Sequence, residues 1–284
     1  MLFSRTVILL ALCSVSVLAQ DPSTTALPKS DVFLDVSFKN GNSFIDDIQP
    51  QELTIKRAGN AQVVSIESAG EFPLQVAIAM DTSGSQRAFV RQNFEIYSKI
   101  IDLLPLRAAD SACLISFSNS INLLQGLTSN KMLLRRGLGD IVCSGPTGFY
   151  DAIFYASSAL GNQGEFRKAM IAITDGEDNG SYHGKKEAFG EAIHNSVRIF
   201  VLTRENPFGF QRPYHSSDIM KTGGNISLYK DLKSGLDAVP NILDELAHLK
   251  RITFSGLTAE KLKSGIEISV SRKGVKAFYP SAIR

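Results

Sequence analysis

The chain has 284 residues, of which 44% are hydrophobic and 20% are charged, and its net charge at pH 7 is +2. This composition is ordinary for a globular protein, and the length suffices for one large or two modest domains. The small net charge gives no reason to expect binding to nucleic acid or to an anionic membrane surface.

Residues 1–19 have the form of a secretory signal peptide. Arg5 supplies the positive charge, residues 6–17 are apolar, and Ala19 ends a cleavage site of small residues. The apolar stretch is short for a membrane anchor, and no later stretch is long enough to span a bilayer. We therefore expect an exported protein, periplasmic or secreted, with no membrane span after cleavage and a polar linker at 20–30.

The following segment, residues 31–70, favours β-strands. Residues 32–38, 53–56 and 63–67 are rich in strand-forming side chains, and Asn-Gly-Asn at 40–42 is a turn signal. A segment of this size is near the lower limit for independent folding, so we expect it to pair with another part of the chain.

From residue 73 to about residue 250, predicted strands alternate with predicted helices. The strands are predicted at 74–80, 113–117, 121–124, 170–174, 197–202 and 225–229. The helices are predicted at 87–104, 130–141, 147–160, 185–195 and 236–250, the last with Pro240 in its first turn. This alternation predicts an α/β fold with a doubly wound, mainly parallel, six-stranded sheet covered by helices on both faces.

Residues 251–284 return to a strand pattern, with predicted strands at 252–254, 266–271 and 275–279. This tail is also too small to fold alone. We expect it to pair with residues 31–70 in one small β-sandwich-like domain, with the α/β segment inserted between the two.

Hydroxyl and carboxylate side chains follow two of the predicted strands and precede one helix. Asp81, Ser83 and Ser85 come after the first strand of the α/β segment, Thr147 precedes a helix, and Asp175 follows the strand at 170–174. Because ligands bind beyond the carboxyl ends of the strands in open α/β sheets, we expect these side chains to meet. Three hydroxyls and two carboxylates suit Mg²⁺, Mn²⁺ or Ca²⁺ rather than zinc or copper.

This set resembles the metal-ion-dependent adhesion site (MIDAS) of the von Willebrand factor A-type (VWFA) domain, which is written Asp-x-Ser-x-Ser, then Thr, then Asp. All five positions match in order, and the resemblance covers about residues 73–250. It implies a Rossmann-like VWFA fold in which the three hydroxyls ligate the metal and the two carboxylates act through water or hydrogen bonds. The flanking β segments resemble those of bacterial VWFA-related proteins of Acidobacteria.

The resemblance implies a non-enzymatic role in protein–protein interaction or cell adhesion. A cation held by neutral hydroxyls keeps much of its charge and attracts an anionic oxygen, such as that of an Asp or Glu on a protein partner. Two alternatives remain open: a hydrolase that uses the same cation, and a metal that only stabilises the fold. A serine nucleophile would need a nearby histidine, and the spacing of the four histidines supports no triad.

The segment after the strand at 197–202 is a second binding candidate, because arginine and aromatic side chains are favoured in binding hot spots. Its candidate partner-binding residues are Arg204, Phe208, Phe210, Arg212 and Tyr214. The alternative is a long loop whose aromatic side chains pack onto their own domain.

Five other residues have ordinary explanations. Cys113 and Cys143 could form a disulfide in an exported protein, but we favour two separate buried thiols. Asp151 is expected to stabilise the N-terminus of its own helix. Glu177 and Asp178 are expected to be solvated loop residues.

Overall fold

The computed structural model of this protein describes residues 32–139, 141–161, 165–205, 215–263 and 265–281. The predicted signal peptide and linker lie outside the described residues. The strands are β1 (Val32–Asn40), β2 (Ser43–Phe44), β3 (Leu53–Lys56), β4 (Gln62–Ser68), β5 (Leu74–Asp81), β6 (Ser111–Phe117), β7 (Ile121–Thr128), β8 (Arg167–Ile173), β9 (Val197–Arg204), β10 (Asn225–Tyr229), β11 (Lys250–Ser255), β12 (Glu267–Val270) and β13 (Val275–Phe278).

The α-helices are α1 (Val90–Leu103), α2 (Lys131–Gly137), α3 (Phe149–Leu160), α4 (Lys185–His194), α5 (Ser216–Lys221), α6 (Leu232–Ala247) and α7 (Ala259–Lys263). Three short 3₁₀ helices lie at Pro50–Glu52, Ala69–Glu71 and Gly84–Phe89. None of the helices in the described part of the chain is both long enough and apolar enough to cross a membrane.

The central sheet has six strands in the order β10-β9-β8-β5-β6-β7. The first five run parallel, and β7 pairs antiparallel with β6 at one edge. Helices α1, α2 and α6 cover one face, and α3 and α4 cover the other. The inner strands β5 and β8 are buried on both faces, which explains their continuous apolar sequences. This arrangement confirms the predicted α/β fold with a mainly parallel six-stranded sheet.

Helix α6 begins earlier than the sequence predicts. Asp231 caps it by accepting a hydrogen bond from the Ser234 N–H at 2.8 Å, and the Ser234 hydroxyl accepts one from the Asp231 N–H at 3.0 Å. Pro240 therefore lies in the helix interior, where it lacks an N–H, and not in the first turn. The prediction, which placed the start at residue 236 with Pro240 in the first turn, is therefore wrong at this end of the helix.

Three other helix ends differ from the prediction: the starts of α1 and α3 and the end of α2. The segment 84–89 is a 3₁₀ helix, and α1 proper begins at Val90. Helix α3 begins at Phe149, two residues after Thr147, and α2 ends at Gly137. Phe149 is buried in the core.

The strands of the two flanks pair with each other. In the larger sheet the order is β13-β1-β11-β4, with β2 added to β1, and a second pair joins β12 to β3. Strand β1 therefore lies between β13 and β11, both from the C-terminal part of the chain. Apolar side chains of both small sheets share one core, which includes Val36, Ile55, Phe254 and Ile268. We call these strands the flank sheets.

Two buried arginines lie where the flank sheets meet the α/β unit. Arg251 is 2% exposed and donates to both carboxylate oxygens of Asp35, at 2.8 and 3.0 Å. Its guanidinium lies over the rings of Phe33 and Phe72, at 3.9 and 3.6 Å from their centroids. Arg198 is also buried and donates to main-chain carbonyl oxygens on both sides of the junction.

Candidate metal site

Asp81 is the last residue of β5, and its carboxylate is almost completely buried, with the residue 4% exposed. One carboxylate oxygen accepts from the Ser83 N–H at 2.9 Å, and the other accepts from the Thr174 hydroxyl at 2.5 Å. Burial raises the pKa of Asp81, the hydrogen bonds from Ser83 and Thr174 lower it, and the negative charge of Asp175 adds a smaller increase, so that the pKa is about 6 on balance. The site therefore contains a carboxylate whose charge is poorly balanced.

The two serines of the first segment present their hydroxyls side by side. The Ser83 and Ser85 Oγ atoms are 3.1 Å apart. Ser83 is buried and Ser85 is exposed, so the pair extends from the protein interior to its surface. The Gly84 N–H between them donates to the Gly145 carbonyl at 2.9 Å and fixes this segment against the loop that carries Thr147.

The Thr147 loop lies between the other two segments. The Ser144 N–H donates to the Thr82 carbonyl at 2.8 Å. The Thr147 N–H donates to the Asn179 side-chain oxygen at 2.7 Å, and the Thr147 carbonyl accepts from the Asn179 N–H at 3.0 Å. Thr147 itself is buried. Gly145 has a φ of +77°, a conformation that favours glycine and that turns the chain into this loop.

Asp175 follows β8 and is partly exposed. One of its carboxylate oxygens accepts from the Gln86 amide at 3.2 Å, and the other accepts from the Glu177 N–H at 3.2 Å. The same Gln86 amide nitrogen lies 3.4 Å from the Ser85 hydroxyl. Gln86 thus connects the first segment to the third. Gly176, at φ +76°, provides the turn directly after the aspartate.

The structure therefore brings four of the five MIDAS-like residues into one hydrogen-bonded network, with the Thr147 loop bound to both neighbouring segments. Within the described residues no group of three or more His, Cys, Asp or Glu side chains could hold a metal ion. A metal at this site would therefore depend on the hydroxyl groups.

The sequence analysis did not identify three residues that hold the site through hydrogen bonds, Gln86, Asn93 and Thr174. The Gln86 side-chain oxygen accepts from the Asn93 amide at 3.0 Å, and the Asn93 oxygen accepts from the Tyr229 hydroxyl at 3.1 Å. Gln86, in the 3₁₀ helix before α1, and Asn93, in α1, are both buried, although the other buried residues of α1 are apolar. The signal that could have found them is a pair of amides seven positions apart, of which the second lies on the apolar stripe of α1. Thr174 was missed because it reads as the end of a strand.

The carboxylates near α3 have roles beyond those predicted. Asp151 accepts from the Tyr182 and His183 N–H groups at 3.0 and 2.9 Å, and the His183 ring Nδ1 lies 2.6 Å from it. It therefore holds the loop after β8, in addition to lying in the first turn of α3 as predicted. Asp178 is the residue that accepts from the N-terminus of α3, at the Tyr150 N–H, 3.0 Å away. It is not simply solvated, whereas Glu177 is exposed as predicted.

Three of the four histidines contact side chains other than Ser83 and Ser85. The His183 ring nitrogen contacts Asp151, the His215 Nε2 lies 3.1 Å from the Tyr150 hydroxyl, and the His248 Nδ1 contacts Asp46 at 2.7 Å. His194 ends α4.

Cys113 and Cys143 are both free and buried. Burial raises the pKa of Cys113 to about 11, so its thiol stays protonated at neutral pH. The structure thus has the two separate buried thiols that we favoured.

The second binding candidate is described only at its first residue. Arg204 donates to the Gln92 side-chain oxygen at 2.6 Å, and its guanidinium lies 4.3 Å from the centroid of the Phe89 ring. These contacts place it beside the segment that leads from Ser85 into α1. Phe208, Phe210, Arg212 and Tyr214 lie outside the described residues.

Comparisons with known proteins agree with this fold. Residues 76–177 match the family model of the von Willebrand factor type A domain. No curated protein matches the sequence. Among solved structures, BatB from Bacteroides thetaiotaomicron, a conserved hypothetical protein, has 21% identity and a TM-score of 0.50. The match covers 61% of this chain and 98% of that one.

Two further structures share the fold over a larger part of this chain and about half of their own. A von Willebrand factor type A protein from Catenulispora acidiphila has 14% identity and a TM-score of 0.52, covering 78% of this chain and 51% of that one. Proximal thread matrix protein 1 from the mussel byssus, with a zinc-occupied MIDAS motif, has 16% identity and a TM-score of 0.52, covering 66% and 48%. At these identities the similarity shows the fold. The α/β unit therefore has the fold of a VWFA-type domain.

Proposed function

We propose that this protein binds a divalent cation through the hydroxyls of Ser83, Ser85 and Thr147, and that Mg²⁺ is the preferred cation. The observation that carries this proposal is the 3.1 Å separation of the two serine Oγ atoms. Adjacent ligands of an octahedral Mg²⁺, each about 2.1 Å from the metal, lie about 3 Å apart. The two serines are therefore spaced as neighbouring ligands of one ion.

The carboxylates of Asp81 and Asp175 support the proposal through their charge. Both belong to the same network, and Asp81 is buried with its pKa raised by burial and by Asp175. A divalent cation would compensate both negative charges at once. The two aspartates would hold it through water or through hydrogen bonds to the hydroxyl ligands.

A cation bound in this way would capture an acidic residue of a protein partner. The direct protein ligands would be neutral hydroxyls, with the two aspartates acting from farther away, and Ser85 is exposed, so the ion could accept a further oxygen from outside. An Asp or Glu side chain supplies that oxygen. The described hydrogen-bond partners of the two serine hydroxyls are each other and Gln86, and not a histidine, which favours binding over serine-based hydrolysis. We therefore propose an exported adhesion or interaction protein, periplasmic or secreted.

The identity of the cation can be tested directly. An oxygen-only donor set favours Mg²⁺, Mn²⁺ or Ca²⁺ over zinc. The mussel thread protein nevertheless holds zinc in its own MIDAS motif. Zn²⁺ is therefore the appropriate competitor in any measurement of metal preference.

The experiment is a pull-down from the native envelope fraction, with the full chain as bait in Mg²⁺ or in chelator. We expect a partner that is retained in Mg²⁺, released by chelator and not captured by Asp81→Ala. Asp237→Ala is the matched control, because Asp237 is an exposed aspartate of α6 whose contact is with Lys233. Equal capture with chelator, or by Asp81→Ala, would contradict the proposal.

Two further measurements separate the alternatives. Cation-dependent turnover in a broad screen of esters and phosphate esters would instead support a metal-dependent hydrolase. A melting temperature that falls with chelator, while capture of the partner is unchanged, would indicate a metal that only stabilises the fold.

A further inference from the structure

A second candidate site lies at the opposite end of the central sheet. The metal-site loops follow the last residues of β5 and β8, whereas this cavity of about 210 Å³ lies beside their first residues, Leu74 and Arg167. Its walls also come from the segment after α1 and from the last turns of α6. The apolar lining is Leu74, Pro105, Leu243 and Leu246, and the charged lining is Arg107 and Arg167.

Arg167 is a buried cation whose described hydrogen bonds go to neutral oxygens. It is 5% exposed. Its Nε donates to the Phe72 carbonyl at 3.0 Å, and its Nη1 donates to the Leu246 carbonyl at 2.9 Å. A buried guanidinium normally has a carboxylate or another anion as its partner, because removing the charge from water is costly.

The neighbouring carboxylates are already bound by other arginines. Asp110 accepts from the Arg107 side chain at 3.0 Å, and Asp35 accepts both hydrogen bonds from Arg251. Burial lowers the pKa of Arg167 and the charge of Arg107 lowers it further, while the charges of Asp110 and Asp35 offset this only in part. Arg167, which lines the cavity, thus has no carboxylate among its described hydrogen-bond partners, because the two neighbouring carboxylates are bound by Arg107 and Arg251.

The second arginine of the cavity stands close to the first. Arg107 Nη2 donates to the Phe72 carbonyl at 3.1 Å, so both guanidinium groups converge on one oxygen atom. Its side chain is half exposed, so this end of the cavity opens to solvent. An anion entering there would meet two guanidinium groups, whose planar forks match the two oxygens of a carboxylate.

We propose that this cavity binds a carboxylate joined to a short apolar chain, with the carboxylate at Arg107 and Arg167 and the chain against the leucine walls. The volume equals that of about seven water molecules in the liquid, which suits a chain of about six carbons. A free short-chain fatty acid and the carboxyl terminus of a peptide that ends in an apolar residue share this chemistry. The site is separate from the proposed metal site.

Calorimetric titration of the full chain in chelator tests the proposal and keeps it independent of the metal. The probes are hexanoate for the fatty acid, N-acetyl-leucine for a peptide terminus, and hexanamide as an uncharged control of the same length. We expect one equivalent of hexanoate or N-acetyl-leucine to bind, at least about tenfold more tightly than hexanamide, because only the carboxylate forms charge-assisted hydrogen bonds. Whichever of the two binds more tightly identifies the source.

Three variants complete the test. Arg167→Gln is expected to weaken hexanoate binding by about tenfold or more, with circular dichroism as the check of its fold. Ala247→Phe keeps both arginines and adds bulk to the exposed cavity wall, so it should abolish binding, whereas Ala247→Ser should not. Absence of hexanoate and N-acetyl-leucine binding, equal binding of hexanamide, tighter binding of inorganic phosphate, or unchanged binding by Ala247→Phe would overturn the proposal.

Discussion

The two ends of the central sheet bury charges of opposite sign. At the carboxyl end, the carboxylates of Asp81 and Asp175 lie among hydroxyls and amides. At the amino end, Arg167 and Arg198 are buried among main-chain carbonyls, and Arg251 is buried against the Asp35 carboxylate. Asp81 and Asp175 have no cation among their described partners, and Arg167 has no carboxylate among its own, so the carboxyl end is suited to a cation and the cavity at the amino end to an anion.

The direction of the chain explains this difference. Helices begin after the carboxyl ends of parallel strands, so N–H groups without helical partners lie there, and Asp178 accepts one of them from α3. Helices end near the amino ends of the strands and leave carbonyls without partners. The Leu246 carbonyl near the end of α6 accepts from Arg167, and the Gly223 carbonyl accepts from Arg198. The backbone thus favours carboxylates at one end of the sheet and arginines at the other.

The largest effect is expected from removing a buried arginine at the amino end. Arg251→Ala leaves the largely buried Asp35 carboxylate without its bidentate partner and removes a guanidinium that lies over two aromatic rings. We expect the free energy of unfolding to fall by about 3–5 kcal/mol in urea denaturation. Arg57→Ala is the matched control, because Arg57 pairs with Glu267 at the surface and should cost at most about 1 kcal/mol. Equal losses would show that burial is not what distinguishes the two arginines.

Removing a buried charge at the carboxyl end should have the opposite sign. Without metal, the Asp81 carboxylate is buried near a second carboxylate, so Asp81→Asn relieves both desolvation and repulsion. We expect the variant in chelator at pH 8 to be more stable than the wild type by about 1–2 kcal/mol. Adding Mg²⁺ should stabilise the wild type and leave the variant unchanged. A less stable variant in chelator would mean that the carboxylate is balanced by the protein alone.

Acid should weaken the amino end through Asp110. Burial alone would raise the pKa of Asp110, but hydrogen bonds from Arg107 and from the Leu74 N–H lower it on balance. The carboxylate therefore contributes stability above its unfolded pKa of about 3.9, and this contribution is lost as the pH falls through the lower folded pKa. We expect Asp110→Asn to lose about 1 kcal/mol at pH 7 and to show a shallower decline in unfolding free energy between pH 5 and pH 2. Parallel pH profiles would contradict this role.

The smallest effect is expected at the edge of the metal site. Arg204→Ala removes the contacts with Gln92 and the Phe89 ring, which lie at the partly exposed surface. The free energy of unfolding should change by about 0.5–1 kcal/mol, and Mg²⁺ affinity should stay the same. If partner capture nevertheless falls in the pull-down, Arg204 belongs to the partner surface. If Mg²⁺ affinity falls, the arginine supports the metal loops.

The sequence predicted the parts of the site that depend on strand ends. Asp81 and Asp175 each follow an apolar run, and in a parallel sheet that position alone places them at one edge. The link through Gln86 and Asn93 was missed, because a single polar residue on a helix gives no sign that its face is buried, and only the spacing of the two amides indicates it. The predicted start of α6 at residue 236 is wrong, because the helix begins at Leu232 with Asp231 as its cap.

The amino end was harder to predict for a different reason. Arg167 and Arg198 stand at the beginning of strands, where a charged residue ordinarily marks the transition to solvent. Their burial results from helix α6 and from the flank sheets, which are far away in sequence. Glu245 illustrates this, since it is buried by contacts with Ser37 and Lys39, more than two hundred positions earlier.

The most direct test of the central claim is a calorimetric titration of Mg²⁺ into the full chain and into Ser85→Ala. Ser85 is exposed, so its replacement should leave the fold intact while removing one proposed ligand. We expect one saturable Mg²⁺ site in the wild type and the loss of most of that affinity in Ser85→Ala. No Mg²⁺ binding by the wild type, or the same affinity in Ser85→Ala, would contradict it.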